Sequence, residues 1–178
     1  MPVRSMFVDV AHGSALVSYN AGISACEKGE KWQGALALLR EMWESKLEPN
    51  VISYSAGISA CGKGEQWQRA LALLSEICVA KLEPNVISFS AGISACEKGK
   101  QWQHALALLS EMGEAKLEPD VIYTYSAATS ACEKGEQWQQ ALAVLLQMRA
   151  AKLEPNAFLS ATTRVSAPAK KANGGSRL

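Results

Sequence analysis

The sequence repeats itself with a fixed period. The stretch ACEKGEQWQQALAVL at 131–145 has near-identical copies at 25–39, 60–74 and 95–109. Successive copies begin 35 residues apart, except that the fourth begins one residue late. A fixed period of this size is typical of solenoids, in which each unit packs mainly against its neighbours. The chain therefore predicts a stack of four similar units, and it favours a repeated binding surface over a single active site.

The unit boundaries follow from the aligned openings LVSYNAGISAC, VISYSAGISAC, VISFSAGISAC and IYTYSAATSAC. The predicted units are 16–50, 51–85, 86–120 and 122–156. Val121 is left over, and we expect it in the turn between the third and fourth units, since in a helix it would rotate the following face by about 100°. Residues 1–15 match no unit. Residues 157–178 are predicted to form a degenerate cap followed by a basic, disordered tail.

Each unit has the pattern of two amphipathic helices. In the second unit Tyr54, Ile58 and Cys61 share one face of the first helix, and a second apolar stripe begins at Trp67. Gly64 is expected to end the first helix with a positive φ, and Pro84 to stop the second. The predicted fold class is all-α: an α-solenoid of helix-turn-helix pairs, about eight helices in a right-handed superhelix.

Several recurring residues suggest how the units pack. Gly22, Gly57 and Gly92 lie in the middle of the first helices, where glycine costs about 1 kcal/mol relative to alanine, so we expect a close approach of neighbouring elements there. Two further rows recur with the period, and both are expected to be largely buried. They are Trp32, Trp67, Trp102 and Trp138, and Cys26, Cys61, Cys96 and Cys132.

A 35-residue helix pair that opens V-x-S-Y-[NS], contains KG in the middle and closes with L-E-P-[ND] resembles the pentatricopeptide repeat of the 35-residue P type. The resemblance covers 16–156. Tetratricopeptide repeats are the usual confusion, but they have a period of 34, and this chain lacks their W-x₂-L-G-x₂-Y opening. The resemblance implies a protein that binds single-stranded RNA, with one base read by each repeat.

In such repeats the fifth and last residues are said to select the base, and the second residue packs on the base face. The implied base-selecting residues are Asn20, Asn50, Ser55, Asn85, Ser90, Asp120, Ser126 and Asn156. The implied base-stacking residues are Val17, Ile52, Ile87 and Tyr123. Applied to the fifth and last residues of the four units, the family's pairing rule predicts that the protein binds the RNA sequence 5′-pyrimidine-A-G-A-3′. Because Asn and Asp after a proline also suit a turn, the last residues have a second, purely structural explanation.

A lysine row also recurs at one position of each unit, and related repeats have this position near the RNA backbone. The row is Lys28, Lys63, Lys98 and Lys134. The alternative is that these cations stabilise the carboxyl ends of the first helices.

The charge of the chain argues less clearly for RNA. The protein has 18 basic and 17 acidic residues, a net charge of +1. Residues 1–156 hold 14 of the basic and all 17 of the acidic residues, a net charge of −3, whereas a general RNA-binding protein is usually basic. This balance keeps open an alternative function, a protein-interaction scaffold that binds a peptide on its concave face.

The sequence contains no motif that indicates catalysis. We find neither H-x-E with P-C-x-x-C, nor a phosphate-binding loop, nor G-x-S-x-G, nor H-E-x-x-H. We therefore expect a non-enzymatic protein with no cofactor, no metal and no small-molecule substrate. No apolar run approaches the length of a membrane span, so no membrane partner is expected. The family resemblance suggests a mitochondrion or plastid, although residues 1–15 do not form a clear transit peptide.

Overall fold

The computed structural model describes residues 3–117 and 121–150. Within them the chain forms eight α-helices, one short π-helical turn and no strand. The helices are α1 (Val3–Lys28), α2 (Trp32–Glu44), α3 (Val51–Lys63), α4 (Trp67–Val79), α5 (Val86–Lys98), α6 (Trp102–Glu114), α7 (Ser126–Lys134) and α8 (Trp138–Ala150). This confirms the predicted all-α solenoid of helix pairs.

The helices form two layers. The first helices of the units stack in sequence, with α1 against α3, α3 against α5 and α5 against α7. The second helices α2, α4 and α6 each pack against the first helix of their own unit and against the first helix of the next, whereas α8 packs against α7 of its own unit. The inner helices α3 and α5 are thus held by an inner helix on both sides, which is how stacking completes a core that one helix pair cannot form alone.

The core follows the predicted apolar stripes. Tyr54, Ile58 and Cys61 are fully or almost fully buried, and Cys96 and Cys132 are fully buried. The prediction fails in part for the tryptophan row, since Trp138 is 54% exposed and its three counterparts are partly buried. Cys26, in the first unit, is also only partly buried.

The mid-helix glycines lie at close contacts, as expected. A Cβ at Gly57 would lie 2.7 Å from Leu39 Cδ1 and 3.3 Å from Leu73 Cδ1, and one at Gly92 would lie 3.1 Å from Leu108 Cδ1. The neighbouring leucine side chains therefore fill the space that a larger residue would need.

The first helix of the second unit ends at Gly64 as predicted, but the predicted positive φ of Gly64 is wrong. Its φ is −84°, and the left-handed residue is Glu65, with φ 58°. The N–H of Gln66 donates to the Cys61 carbonyl oxygen at 2.8 Å, and that of Glu65 to the Gly62 oxygen at 3.2 Å, which together form a Schellman ending. Glycine is needed at 64 for another reason: a Cβ there would collide with the indole of Trp32 in the preceding unit.

The extra residue of the fourth unit lies in a helix. Val121–Tyr125 forms a π-helical turn that continues directly into α7. Because a π turn holds one residue more than an α turn, it absorbs the insertion without rotating the following face. Tyr125 is buried as Phe89 is, so the register is restored by the end of the turn. The expectation that Val121 lies in the turn between units is therefore wrong.

Candidate nucleic-acid interface

The inner helices line a continuous groove of about 820 Å³ that runs along α1, α3, α5 and α7. Its surface includes side chains from all four units. Half of the lining residues are small and polar, such as Asn20, Ser90 and Ser126, and the others are apolar residues and three glutamates.

An apolar side chain from the second position of each unit is exposed although it is large. Val17, Ile52, Ile87 and Tyr123 are 68, 63, 67 and 71% exposed. Three of them, Ile52, Ile87 and Tyr123, line the groove. They recur once per unit, so the groove presents an evenly repeated set of apolar surfaces of the kind on which flat rings can pack.

The fifth residue of a unit is hydrogen-bonded to the third residue of the next unit. Ser53 Oγ donates to Asn20 Oδ1 at 2.5 Å. Ser55 Oγ and Ser88 Oγ are 2.7 Å apart. Ser90 Oγ and Thr124 Oγ1 are also 2.7 Å apart. In each hydroxyl pair one proton joins the two oxygens, and Ser88 Oγ also donates to Asn85 Oδ1 at 3.0 Å.

The last residue of a unit caps the next inner helix. Asn50 Oδ1 accepts the Ser53 N–H at 3.0 Å, and Asn85 Oδ1 accepts the Ser88 N–H at 2.9 Å. Ser53 Oγ in turn accepts the Asn50 N–H at 3.2 Å, which completes a capping box. The structural explanation of these residues is therefore correct, but each amide keeps its Nδ2 donor group, so a contact to a base remains compatible with capping.

The third residue links the two predicted base-selecting residues of the preceding unit. Ser53 Oγ is within 3.0 Å of both Asn20 Oδ1 and Asn50 Oδ1. Ser88 Oγ likewise contacts Ser55 and Asn85. Sequence reasoning missed these bridges, although a hydroxyl recurs at the third position of every unit. The residues at the third position are Ser18, Ser53, Ser88 and Thr124.

Two members of the lysine row are already paired. Lys63 Nζ lies 3.1 Å from Glu27 Oε1, and Lys134 Nζ lies 2.8 Å from Glu97 Oε1. The same two carboxylates accept hydrogen bonds from Ser59 and Ser130. A lysine therefore faces the glutamate of the preceding unit, and its charge is partly neutralised.

The series of glutamate–lysine pairs between successive units is interrupted at one place in the described part of the chain. Gly62 occupies the place in the second unit that Glu27 and Glu97 occupy in the first and third. Lys98, which would face that place, is exposed and has no carboxylate partner among the residues that the structure describes. Lys28 is likewise exposed and without such a partner in the described ranges. Two of the four lysines thus keep an uncompensated charge.

Some predicted site residues cannot be placed in this way. Asp120 and Asn156 lie outside the described residues, as does the segment 157–178. Ser126 is described, is partly buried and lines the groove.

The buried cysteines do not provide a reactive group. Burial raises the pKa of the Cys61 and Cys96 thiols to about 11, and it also raises the pKa of Cys132. Among the residues that the structure describes, no cluster of three or more His, Cys, Asp or Glu side chains could hold a metal ion. None of the described helices is long and apolar enough to cross a membrane.

The stacked helix pairs and the repeated side chains of the groove define a helical-repeat protein with one equivalent surface in each unit. Models of the PPR repeat family and the pentatricopeptide repeat domain match residues 15–63 and 72–134, which together make up more than half of the chain. The chain therefore belongs to the pentatricopeptide repeat family. Among curated proteins, none matches it significantly.

Solved structures of this family have the same fold. The pentatricopeptide repeat protein PPR10 from maize is 23% identical, with a TM-score of 0.69 over 80% of this chain. PPR10 in complex with an 18-nucleotide psaJ RNA element is 25% identical, with a TM-score of 0.71 over 79%. In both cases this chain spans 20% of the length of PPR10. The repeat domain of Arabidopsis thaliana protein-only RNase P 1, in complex with tRNA, is 12% identical, with a TM-score of 0.69 over 80% of this chain and 75% of that one.

Proposed function

We propose that the protein binds single-stranded RNA in the groove, without catalysing a reaction, and that each repeat selects one base. The observation that carries this proposal is the exposed second-position row beside the hydrogen-bonded polar residues at the fifth and last positions. An apolar row that is regularly exposed to water has no role in the core, whereas it provides base-stacking platforms at a regular spacing. The RNA complex of PPR10 supports the same assignment.

The polar residues are suited to reading a Watson–Crick edge. Because Asn85 Oδ1 is occupied by the helix cap, its amide offers a donor to a base, and the acceptor N1 of adenine fits that donor. A carboxylate at the same position, as in Asp120, offers an acceptor and fits the N1–H and N2–H₂ donors of guanine. The site that we propose is 5′-pyrimidine-A-G-A-3′, with Asn20/Asn50 at the first base and Ser126/Asn156 at the fourth.

The backbone of the RNA would run along the lysine row. Lys28 and Lys98 are the better phosphate ligands, since Lys63 and Lys134 already face carboxylates. Proteins of this family are generally organellar, and we propose a mitochondrial or plastid location, where the bound RNA would be processed, stabilised or translated. A protein partner bound on the concave face is the alternative occupant.

The function is tested by titrating the protein with a pool of random single-stranded RNA at one stated salt concentration and sequencing the bound fraction. We expect enrichment of the four-base site. Tyr123→Ala should weaken binding by about 1–3 kcal/mol, the typical loss of one aromatic stacking partner. Val79→Ala is the matched control, because Val79 is 81% exposed and is not among the residues lining the groove. Binding of the pool without enrichment, or equal effects of both variants, would contradict the proposal and favour the peptide scaffold.

A further inference from the structure

One contact between neighbouring units occurs three times in the stack. The tryptophan that opens a second helix lies against the glycine that follows the lysine row in the next unit. The pairs are Trp32 with Gly64, Trp67 with Gly99 and Trp102 with Gly135. In each pair a Cβ on the glycine would collide with the indole, so the contact needs a glycine.

The fourth tryptophan and the first glycine lack this contact. Trp138 is 54% exposed, and it lies on α8, the last described helix. At the other end, a Cβ on Gly29 would meet only atoms of its own turn, the nearest being the Ala25 carbonyl oxygen at 3.4 Å. Within the described ranges, one end of the stack thus presents a tryptophan without its glycine, and the other end presents a glycine without its tryptophan.

The surface around Gly29 is exposed at positions that are buried in every later unit. Ala25 is exposed, whereas its counterparts Ala60, Ala95 and Ala131 are fully buried within the stack. Ser18 is also exposed, although the third-position hydroxyls of the later units are buried.

The charged side chains at the two ends are complementary. Inside the stack a glutamate pairs with the lysine of the next unit, as in Glu27–Lys63 and Glu97–Lys134. Glu133 and Lys28 are the corresponding residues at the two ends, and both are exposed.

We propose that the protein associates head to tail, with α7 and α8 of one copy packed against α1 of a second copy. Trp138 would lie on Gly29 of the second copy, and Glu133 would pair with its Lys28. A second copy is the occupant because it presents the same glycine, alanine and lysine that cover this face three times within the chain. Such an interface joins two different surfaces, so it leaves one face free at each end and can add further copies.

The test uses the full chain without RNA, so that it is independent of RNA binding. Sedimentation equilibrium at concentrations from about 10 µM to 1 mM, the range of weak association, should give an average mass that rises without stopping at a dimer. Gly29→Ala should reduce the association constant by at least about tenfold, because its Cβ occupies the place of the incoming indole. Gly13→Ala in the same helix is the control, since a Cβ there meets nothing within 4 Å, and it should leave association unchanged.

A charge exchange gives a second test that does not depend on packing. Lys28→Glu and Glu133→Lys should each weaken association, and the doubly substituted chain should regain it. A 1:1 mixture of the two single variants should also associate, because each supplies the face that the other lacks. Thermal melting monitored by circular dichroism identifies any variant that fails to fold. A chain that stays monomeric up to 1 mM overturns the proposal. Association unaffected by both Gly29→Ala and Trp138→Gln also overturns it.

Discussion

Lys63 Nζ lies 3.1 Å from the carboxylate of Glu27 in the preceding unit, whereas Lys98, the equivalent lysine one unit later, has Gly62 in place of that glutamate in the sequence of the preceding unit. A single glycine therefore distinguishes two lysines that the repeat pattern makes equivalent. An uncompensated cation binds phosphate better than one that is already paired, so the four lysines should contribute unequally to RNA binding.

The first prediction compares these two lysines. Lys98→Gln should lower RNA affinity and reduce the slope of log K against log salt concentration by about 0.7, the value for one phosphate contact on a single strand. Lys63→Gln should have a smaller effect. Glu27→Gln should have the opposite effect, because it releases Lys63 and keeps an acceptor for Ser59. RNA titrations at several salt concentrations measure the affinity and the slope for all three variants. Equal slopes for the two lysine variants would contradict the inference that Lys98 binds phosphate better than the paired Lys63.

The second prediction concerns base choice. Asp120→Asn replaces one carboxylate oxygen with an amide and should shift the third base from guanine towards adenine by on the order of tenfold. The measurement is binding of 5′-CAGA-3′ and 5′-CAAA-3′ within a longer unstructured strand. Asn85→Asp is the converse variant, since it preserves the helix cap and should move the second base towards guanine. Identical affinities for both RNAs in the wild type and in Asp120→Asn would mean that Ser90 and Asp120 read no base.

The third prediction concerns the contact between tryptophan and glycine inside the stack. A Cβ at Gly99 would lie 2.6 Å from Trp67 Cγ and 3.0 Å from its Cβ, so the ring cannot move away by rotating its far end. Gly99→Ala should reduce the free energy of unfolding by about 1–3 kcal/mol. Gly13→Ala, at an open helical site, should increase it by about 0.5–1 kcal/mol. Urea unfolding measures both, and the same sign for both would refute the steric role of Gly99.

The fourth prediction concerns a buried hydroxyl in the last unit. Thr129 Oγ1 is buried and has no hydrogen-bond partner among the described residues, and the first three units have a fully buried isoleucine there. Thr129→Ile should raise the free energy of unfolding by about 1–2 kcal/mol, since it removes an unsatisfied polar atom and adds buried apolar surface. Thr124→Val should lower it by about 1 kcal/mol, because Thr124 is bonded to Ser90. Chemical denaturation measures the free energy of unfolding of both variants. A Thr129→Ile protein that is less stable than the wild type would contradict the prediction.

The fifth prediction concerns pH and the buried thiols. Burial raises the pKa of Cys61 and Cys96 from 9.0 to about 11. The pKa of each thiol is higher in the folded protein than in the unfolded chain. The contribution of the two thiols to the free energy of unfolding is therefore fully present below pH 9, and it is lost as the pH rises from about 9 to about 11. The loss of stability over this interval should be smaller in the variant with Cys61→Ala and Cys96→Ala.

A labelling experiment tests the burial of the same thiols. At pH 8 a thiol reagent should label the exposed Cys78 first, and equal labelling of all five cysteines in the folded protein would disagree with this account.

The architecture was predictable from the sequence because the period, the apolar stripes and the prolines are local patterns written four times. The candidate base-selecting and base-stacking residues followed from the family's positional rule, and the structure places Ile52, Ile87 and Tyr123 on one groove. The glycines of the first helices were also correctly connected with close packing. These inferences concern spacing along the chain, and a helix converts spacing into direction without reference to distant residues.

Other features depended on contacts between units, which spacing along one unit does not reveal. The sequence pattern predicts a left-handed turn at Gly64, but the constraint on this glycine is the indole of Trp32 on another helix. The pairing of Lys63 with Glu27, and the lack of a carboxylate facing Lys98, required knowing which residues of successive units meet. Val121 could have been absorbed by a turn or by a wider helix, and the packing of α7 selected the π turn because it keeps the buried face aligned. Local sequence specifies each helix, whereas the charge of the groove and the form of its junctions arise only when neighbouring units pack.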